Sequence, residues 1–321
     1  MRTLPTLMLA LAACGTVMAQ AVKVDPKMTT YKKVSGVSGN LNSVGSDTLN
    51  NLMTFWVESF KKQYPGVKIQ VEGKGSSTAP PALIEGTAQL GPMSREMKNE
   101  EIDKFEKKYG YKPTRIAVAI DALGVFVHKN SPVKQLTMKE IDGIFSKTRK
   151  SGGHEIKTWG QLGIKGDMAG RPISLYGRNS ASGTYGFFKE HALFKGDFKD
   201  NVKEQPGSSS VVQSVGTDRF AIGYSGIGYL TSEVKAVKVA DDGRYNGLAF
   251  EPSYENCLNG KYPLARFLYI YVNRNPKKPM DPMTREFLKF VLSREGQEIV
   301  VKDGYYPLTG KMEQDELKKV Q

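Results

Sequence analysis

Arg178, Ser182, Gly183 and Thr184 stand at the spacing Arg-x-x-x-Ser-Gly-Thr, after an apolar run over residues 172–176 and before a stretch of helical character over 184–191. A strand that stops, a tight turn of small hydroxylated residues and a helix that starts make a ready anion site. The free N–H groups of the first helical turn point outward, and the helix dipole favours negative charge there. Arg178 adds a planar fork of donors suited to two oxygens of one tetrahedral anion. A plainer reading of the same residues is that Ser182 caps its helix and Arg178 pairs with a surface carboxylate.

Three other loops repeat the pattern. Gly45-Ser46-Asp47-Thr48-Leu49 follows a short strand at 41–44 and leads into a helix over 48–64, whose Leu49, Leu52, Met53, Trp56, Phe60 and Tyr64 share one face. Gly73-Lys74-Gly75-Ser76-Ser77-Thr78 follows an alternating strand at 67–71 and precedes a helix opened by Ala79-Pro80-Pro81. Pro92-Met93-Ser94-Arg95 follows a third strand at 89–91, ahead of a charged helix from Asn99 to Tyr109. One serine at a helix start is usually a cap; three in succession, joined by Ser182, favour a shared ligand. Gly73-x-Gly75 completes neither the dinucleotide fingerprint nor the P-loop. Charge-assisted hydrogen bonds contribute about 1.5–3 kcal/mol each. A micromolar site needs about 8 kcal/mol net, so half a dozen such bonds could offset desolvation of the anion and still reach it.

The elements that must hold these loops alternate strand and helix, which predicts an α/β fold with a mainly parallel sheet and ligands at the carboxyl ends of strands. Thr137-x-x-Glu140 is a capping box for a helix through Phe145. Two long apolar strands, 115–128 around Asp121 and 265–272 around Arg266, predict two crossings between lobes, and hence a hinge and a cleft. The expected division is lobe I from 22–121 with 265–321, and lobe II from 122–264. Residues 22–39 read as a polar peripheral arm.

The length of 321 residues suits two domains, and 39% hydrophobic with 25% charged residues suits a globular core. Residues 1–21 read as a secretory signal, with Arg2, an apolar stretch at 4–17 and Ala19-Gln20-Ala21 for cleavage. Leu11-Ala12-Ala13-Cys14 offers a competing lipoprotein box that would leave Cys14 lipidated; the soluble periplasmic form is the preferred expectation. Either way Cys257 is the one thiol left for folding, so no internal disulfide is expected. The formal charge of +13 falls by one with Arg2, and the basic residues are spread without a block. That argues against a nucleic-acid partner and suits attraction of a small anion.

Catalysis is poorly supplied. His128, His154 and His191 are isolated, none stands at metal-ligand spacing with Cys or carboxylates, and Gly223-Tyr224-Ser225-Gly226 lacks the nucleophile-elbow spacing. No enzyme activity, cofactor or metal is expected.

From about Leu41 to Leu308 the chain resembles the periplasmic phosphate-binding proteins of ABC importers. The resemblance rests on Arg178-x-x-x-Ser182-Gly183-Thr184, on the Gly45–Leu49 and Gly75–Ser77 loops, and on Trp159, Gly223-Tyr224 and Gly296-Gln297. It implies a type II two-lobe fold, each lobe a mixed sheet flanked by helices, joined by two hinge strands. It further implies a monomer that closes on dehydrated phosphate and delivers it to an inner-membrane permease. The phosphate-binding residues it implies are Ser46, Thr48, Leu49, Ser76, Ser77, Ser94, Arg178, Ser182, Gly183 and Thr184. Two positions depart from the family pattern: Ser94 stands where many members have an Asp that accepts the phosphate proton, and Ser180 where an acid is common. Asp47 and Asp121 are the carboxylates that could take over that role. The alternatives are a receptor for another oxyanion such as sulfate, and a secreted phosphoester hydrolase.

Overall fold

The computed structural model describes residues 22–321; the signal segment and Cys14 lie outside them. The chain runs β1 (Gly39–Val44), α1 (Asn50–Gln63), β2 (Val67–Glu72), α2 (Ala79–Glu85), β3 (Gly91–Met93), α3 (Asn99–Tyr109) and then the long β4 (Thr114–His128). There follow β5 (Gln135–Thr137), α4 (Met138–Phe145), β6 (Ser174–Arg178), α5 (Gly183–His191), β7 (Lys203–Gln205), α6 (Ser208–Thr217), β8 (Ala221–Gly226), β9 (Val234–Ala236), β10 (Lys238–Ala240), β11 (Ala249–Phe250) and α7 (Tyr254–Leu258). Strand β12 (Ala265–Val272) and helices α8 (Pro282–Leu292), α9 (Arg294–Lys302) and α10 (Gly310–Leu317) complete it.

Apolar spacing decides how α1 packs. Leu52, Met53, Trp56 and Phe60 are buried along one stripe, continued by Leu49 and Tyr64 at the two ends. The Trp56 indole donates to the Gly296 carbonyl at 2.8 Å, which fixes it as core. Thr137 and Glu140 form the expected capping box on α4. Ser293 ends α8 and caps α9, and the Gln297 amide donates to the Val118 and Val291 carbonyls, tying α9 to β4.

The hinge strands give the sheet its mixed character. Strand β4 pairs antiparallel with β12 from Thr114 to Ala122, and then antiparallel with β8 from Leu123 onward. The main sheet therefore runs β3-β12-β4-β8-β6-β7 through both lobes, with β9 added to β4. Among the described residues, parallel ladders join β1 with β2, β6 with β7 and β8, and β5 with β10, with an isolated parallel bridge from Ser43 to Leu90. The mainly parallel expectation is corrected here. The return strand from the far lobe has to run against the outgoing one, and antiparallel pairs dominate the centre.

The arm at 22–39 is more firmly docked than its polarity suggests. Met28 is buried, the Thr29 and Tyr31 N–H groups donate to Glu313 and Glu295, and the Tyr31 hydroxyl lies 2.7 Å from that of Tyr64. Strand β3 begins two residues later than the apolar pattern at 89–91 implies, because Gln89 and Leu90 bond back to Asn42 before the ladder starts.

Asp303, just past α9, carries a pH signature. Burial raises its carboxyl from the usual 3.8 to about 7. The folded state thus holds this proton more tightly than the unfolded state, so stability falls as pH rises from about 4 to about 7. Asp303→Asn is expected to raise the unfolding temperature at pH 8 and to leave it unchanged near pH 4, as thermal melts at both pH values would show.

Candidate anion site

The strand that presents Arg178 is positioned by an aromatic stack. Phe188 and Tyr224 lie face to face with ring centroids 3.8 Å apart. The Arg178 N–H donates to the Tyr224 hydroxyl at 3.3 Å, and burial pushes that hydroxyl above its ordinary range, so it stays protonated. A Cβ on Gly177 would sit 2.9 Å from the same hydroxyl, so only glycine fits before Arg178.

The Arg178 side chain is buried rather than surface-paired. Nη1 donates to Ser208 Oγ at 2.7 Å and lies 3.1 Å from Asp47 Oδ2; Nη2 donates to the Pro206 carbonyl at 3.1 Å. Its Nε is a buried donor without a protein partner. Desolvation pulls the guanidinium below its ordinary value and Asp47 opposes that, leaving it cationic at any ordinary pH. Asp47 is held in turn by the Ser208 N–H and hydroxyl at 2.9 and 3.0 Å, while the Tyr229 hydroxyl donates to its carbonyl.

Of the four loop serines, only Ser182 caps a helix, accepting the Thr184 and Tyr185 N–H groups. Helix α1 begins after Leu49 with no side-chain cap, and α3 begins after Lys98, four residues beyond Ser94. The expectation that each serine sits at a helix start is corrected for Ser46 and Ser94; Ser76 does open a short 3-10 turn, Ser76–Thr78, that runs directly into α2. Ser76 and Ser94 instead face each other: the Ser94 N–H donates to Ser76 Oγ at 3.0 Å, and their hydroxyls are 3.3 Å apart.

The loops meet across the cleft. Thr48 Oγ1 lies 2.9 Å from Thr184 Oγ1, and the Ser77 N–H donates to the Ala181 carbonyl at 3.1 Å. A Cβ on Gly183 would fall inside van der Waals contact of Ser76 Oγ and 2.6 Å from Ser94 Oγ. These are contacts of a closed molecule. They bring together Thr48, Ser76, Ser94, Ser182, Gly183 and Thr184, all buried. Among the described residues no protein partner is recorded for the N–H groups of Thr48, Leu49, Ser76 and Gly183. Three predicted residues contribute differently. Leu49 is a core side chain with only its N–H to offer, Ser46 uses its N–H on the Pro92 carbonyl, and the Ser77 hydroxyl accepts from Arg95.

Sequence reasoning missed Ser208, Tyr229 and Tyr305 as the residues that hold Asp47 and the Thr48 carbonyl, because each comes from a segment remote from the loops. It named Arg266 only as a hinge mark. The signal was there: a lone arginine in one apolar strand and a lone aspartate in the other need each other. They stand opposite one another in register, and Arg266 Nε and Nη2 donate to Asp121 Oδ2 at 2.9 and 2.8 Å.

Two lobes whose loops gather at the starts of α1 and α5, with a buried guanidinium beside them, define a substrate-binding protein of the two-lobe class. The comparisons agree. Residues 32–295 match the model of the PBP superfamily domain. The chain is 58% identical over 315 residues, 97% of each chain, to the phosphate-binding protein PstS of Pseudomonas aeruginosa. It is 31% identical to the PstS of Staphylococcus epidermidis over 81% of this chain and 77% of that one. A solved phosphate-bound substrate-binding protein of a putative phosphate ABC transporter from Clostridium perfringens superposes with a TM-score of 0.71 at 30% identity, over 84% of this chain and all of that one. The chain belongs to the PstS phosphate-binding protein family.

Proposed function

We propose that this protein binds inorganic phosphate between its lobes outside the cytoplasm and hands it to an inner-membrane ABC permease, acting as a monomeric receptor and not as an enzyme. The observation that carries the reading is the buried Arg178 guanidinium. Its Nε is unpartnered while its Nη atoms are held by Ser208, Pro206 and Asp47, next to the N-terminus of α5. In this reading the N–H groups of Thr48, Leu49 and Gly183, the hydroxyls of Ser76, Ser94, Ser182 and Thr184, and Arg178 surround the anion. Ser46 and Ser77 shape the loops around it. Dividing the lobes at 121/122 and 264/265 fits the change of partner of β4 from β12 to β8. Export to the periplasm rests on the signal pattern at 1–21, and no described helix is long and apolar enough to cross a membrane. Phosphate is expected to raise the unfolding temperature in proportion to the logarithm of its concentration, by mass action. A melt unmoved by millimolar phosphate would contradict the reading.

Phosphate differs from sulfate at neutral pH in still carrying a proton, so discrimination needs an acceptor that cannot donate. Ser94 supplies a hydroxyl, which can do both. Of the two carboxylates the sequence offered, Asp121 has both oxygens engaged, Oδ2 by Arg266 and Oδ1 by the Ile227 N–H. Asp47 uses Oδ2 alone; no hydrogen bond is recorded for its Oδ1 among the described residues. Asp47 is therefore the acceptor in this account. Asp47→Asn is expected to narrow the preference for phosphate over sulfate by about tenfold, as one charged hydrogen bond implies, measured by competition of the two anions. An unchanged ratio would remove Asp47 from this role. The hydroxyl at Ser94 is also what favours the second reading, a less selective oxyanion receptor.

A further inference from the structure

Arg266 and Asp121 face each other on the two strands that cross between the lobes, both almost wholly buried. The guanidinium reaches four ways. Nε and Nη2 hold Asp121 Oδ2, Nη1 donates to the Ser94 carbonyl at 2.8 Å, and Nη2 also donates to Thr184 Oγ1 at 2.9 Å. Asp121 Oδ1 accepts the Ile227 N–H at 3.0 Å. The pair thus bonds at once to the third loop of one lobe, to the first turn of α5 in the other, and to the end of β8.

Hydrogen-bond direction gives this arrangement its consequence. An arginine can only donate, so Thr184 Oγ1 must accept from it. Thr184 and Thr48 carry two hydroxyl protons between them, and their mutual bond uses one. The other is left to point at whatever the loops enclose. Arg266 occupies an acceptor position on Thr184 Oγ1, so the pair faces the enclosed space with that remaining proton, whichever threonine donates in the mutual bond. Arg266 also lies 5.3 Å from the Phe187 ring, and both line a cavity together with Arg95, Glu190 and His191.

We propose that Arg266 is a positioning residue for the bound anion: held by Asp121 at the hinge, it orients the Thr184–Thr48 hydroxyl pair as a donor and shields the loops from solvent in the closed state. This rests on the phosphate reading above. The bonds to Ser94 and Thr184 come from opposite lobes, so they form together only on closure, and their loss should appear as faster release.

The test titrates phosphate into wild type, Arg266→Lys and the double variant Arg266→Gln/Asp121→Asn, with dissociation rates by stopped flow and melts of the ligand-free proteins. Lysine keeps the charge beside Asp121 but cannot donate to Ser94 and Thr184 together; the double variant removes both charges at matched size. Both are expected to melt near wild type yet bind phosphate about tenfold more weakly or worse, through faster dissociation. In a Thr184→Val background, Arg266→Lys should cost little further affinity, a coupling that a purely structural role would not produce. Wild-type binding with either variant equally tight, or with the Thr184 and Arg266 losses simply additive, would overturn the role of Arg266. If the double variant does not fold, the lysine variant and its coupling to Thr184 decide. A wild type that ignores phosphate would overturn the site reading itself, and with it this proposal.

Discussion

Arg178→Ala is expected to lower phosphate affinity by about a hundredfold or more while the protein still folds. The Nε–H and the Nη2 hydrogen not used on Pro206 offer the anion two charge-assisted bonds at about 1.5–3 kcal/mol each, which set the lower end. A second cost acts in the same direction. Asp47 Oδ2 would keep the Ser208 donors but lose its counter-charge, leaving a carboxylate facing an incoming anion. Arg178→Lys should recover little. A lysine is a point charge and cannot hold Ser208 and the Pro206 carbonyl while presenting a further donor to the anion. Calorimetric titration of both variants checks this; affinity within threefold of wild type for the alanine variant would be incompatible with Arg178 as the principal cationic ligand.

Gly183→Ala should separate folding from closure. The atoms that a Cβ would meet, Ser76 Oγ and Ser94 Oγ, belong to the loops after β2 and β3, which the proposed division places in the opposite lobe. With the lobes apart there is nothing for the methyl to strike, and an alanine suits the first turn of α5. The variant should therefore melt like wild type in the absence of ligand. Phosphate affinity should drop by about tenfold to a hundredfold, the range expected when overpacking costs about 1–3 kcal/mol. X-ray scattering should show the contraction on adding phosphate in wild type and little or none in the variant. A variant that contracts and binds normally would mean that the lobes do not meet at Gly183.

Much of this was legible in the sequence, because apolar period and loop chemistry are local. The stripe from Leu49 to Tyr64, the capping box at Thr137 and the two long strands each follow from a pattern within one element. The Arg178–Thr184 loop was legible for the same reason, since a strand end, a serine cap and a helix start are consecutive. What the sequence concealed was long-range pairing. Nothing near Ser208 shows that it would bridge Arg178 to Asp47, and nothing near Tyr305 shows that it would hold the Thr48 carbonyl. Sheet direction is not legible locally, because strand order depends on where β12 returns, and a strand's own residues do not record that. The serines show the limit from the other side. Four similar loops suggested four similar roles, yet Ser182 caps a helix, Ser76 and Ser94 pair with each other, and Ser77 turns toward Arg95. Spacing predicted that these residues would gather; it did not predict which atom of each would face inward.

One phosphate is expected between the lobes, held by Arg178 and the N–H groups at the starts of α1 and α5. Calorimetric titration of the mature protein, freed of bound phosphate, tests it most directly. A single saturable site is expected, with one phosphate per chain and a dissociation constant of about a micromolar or tighter. No saturable heat up to millimolar phosphate would contradict it.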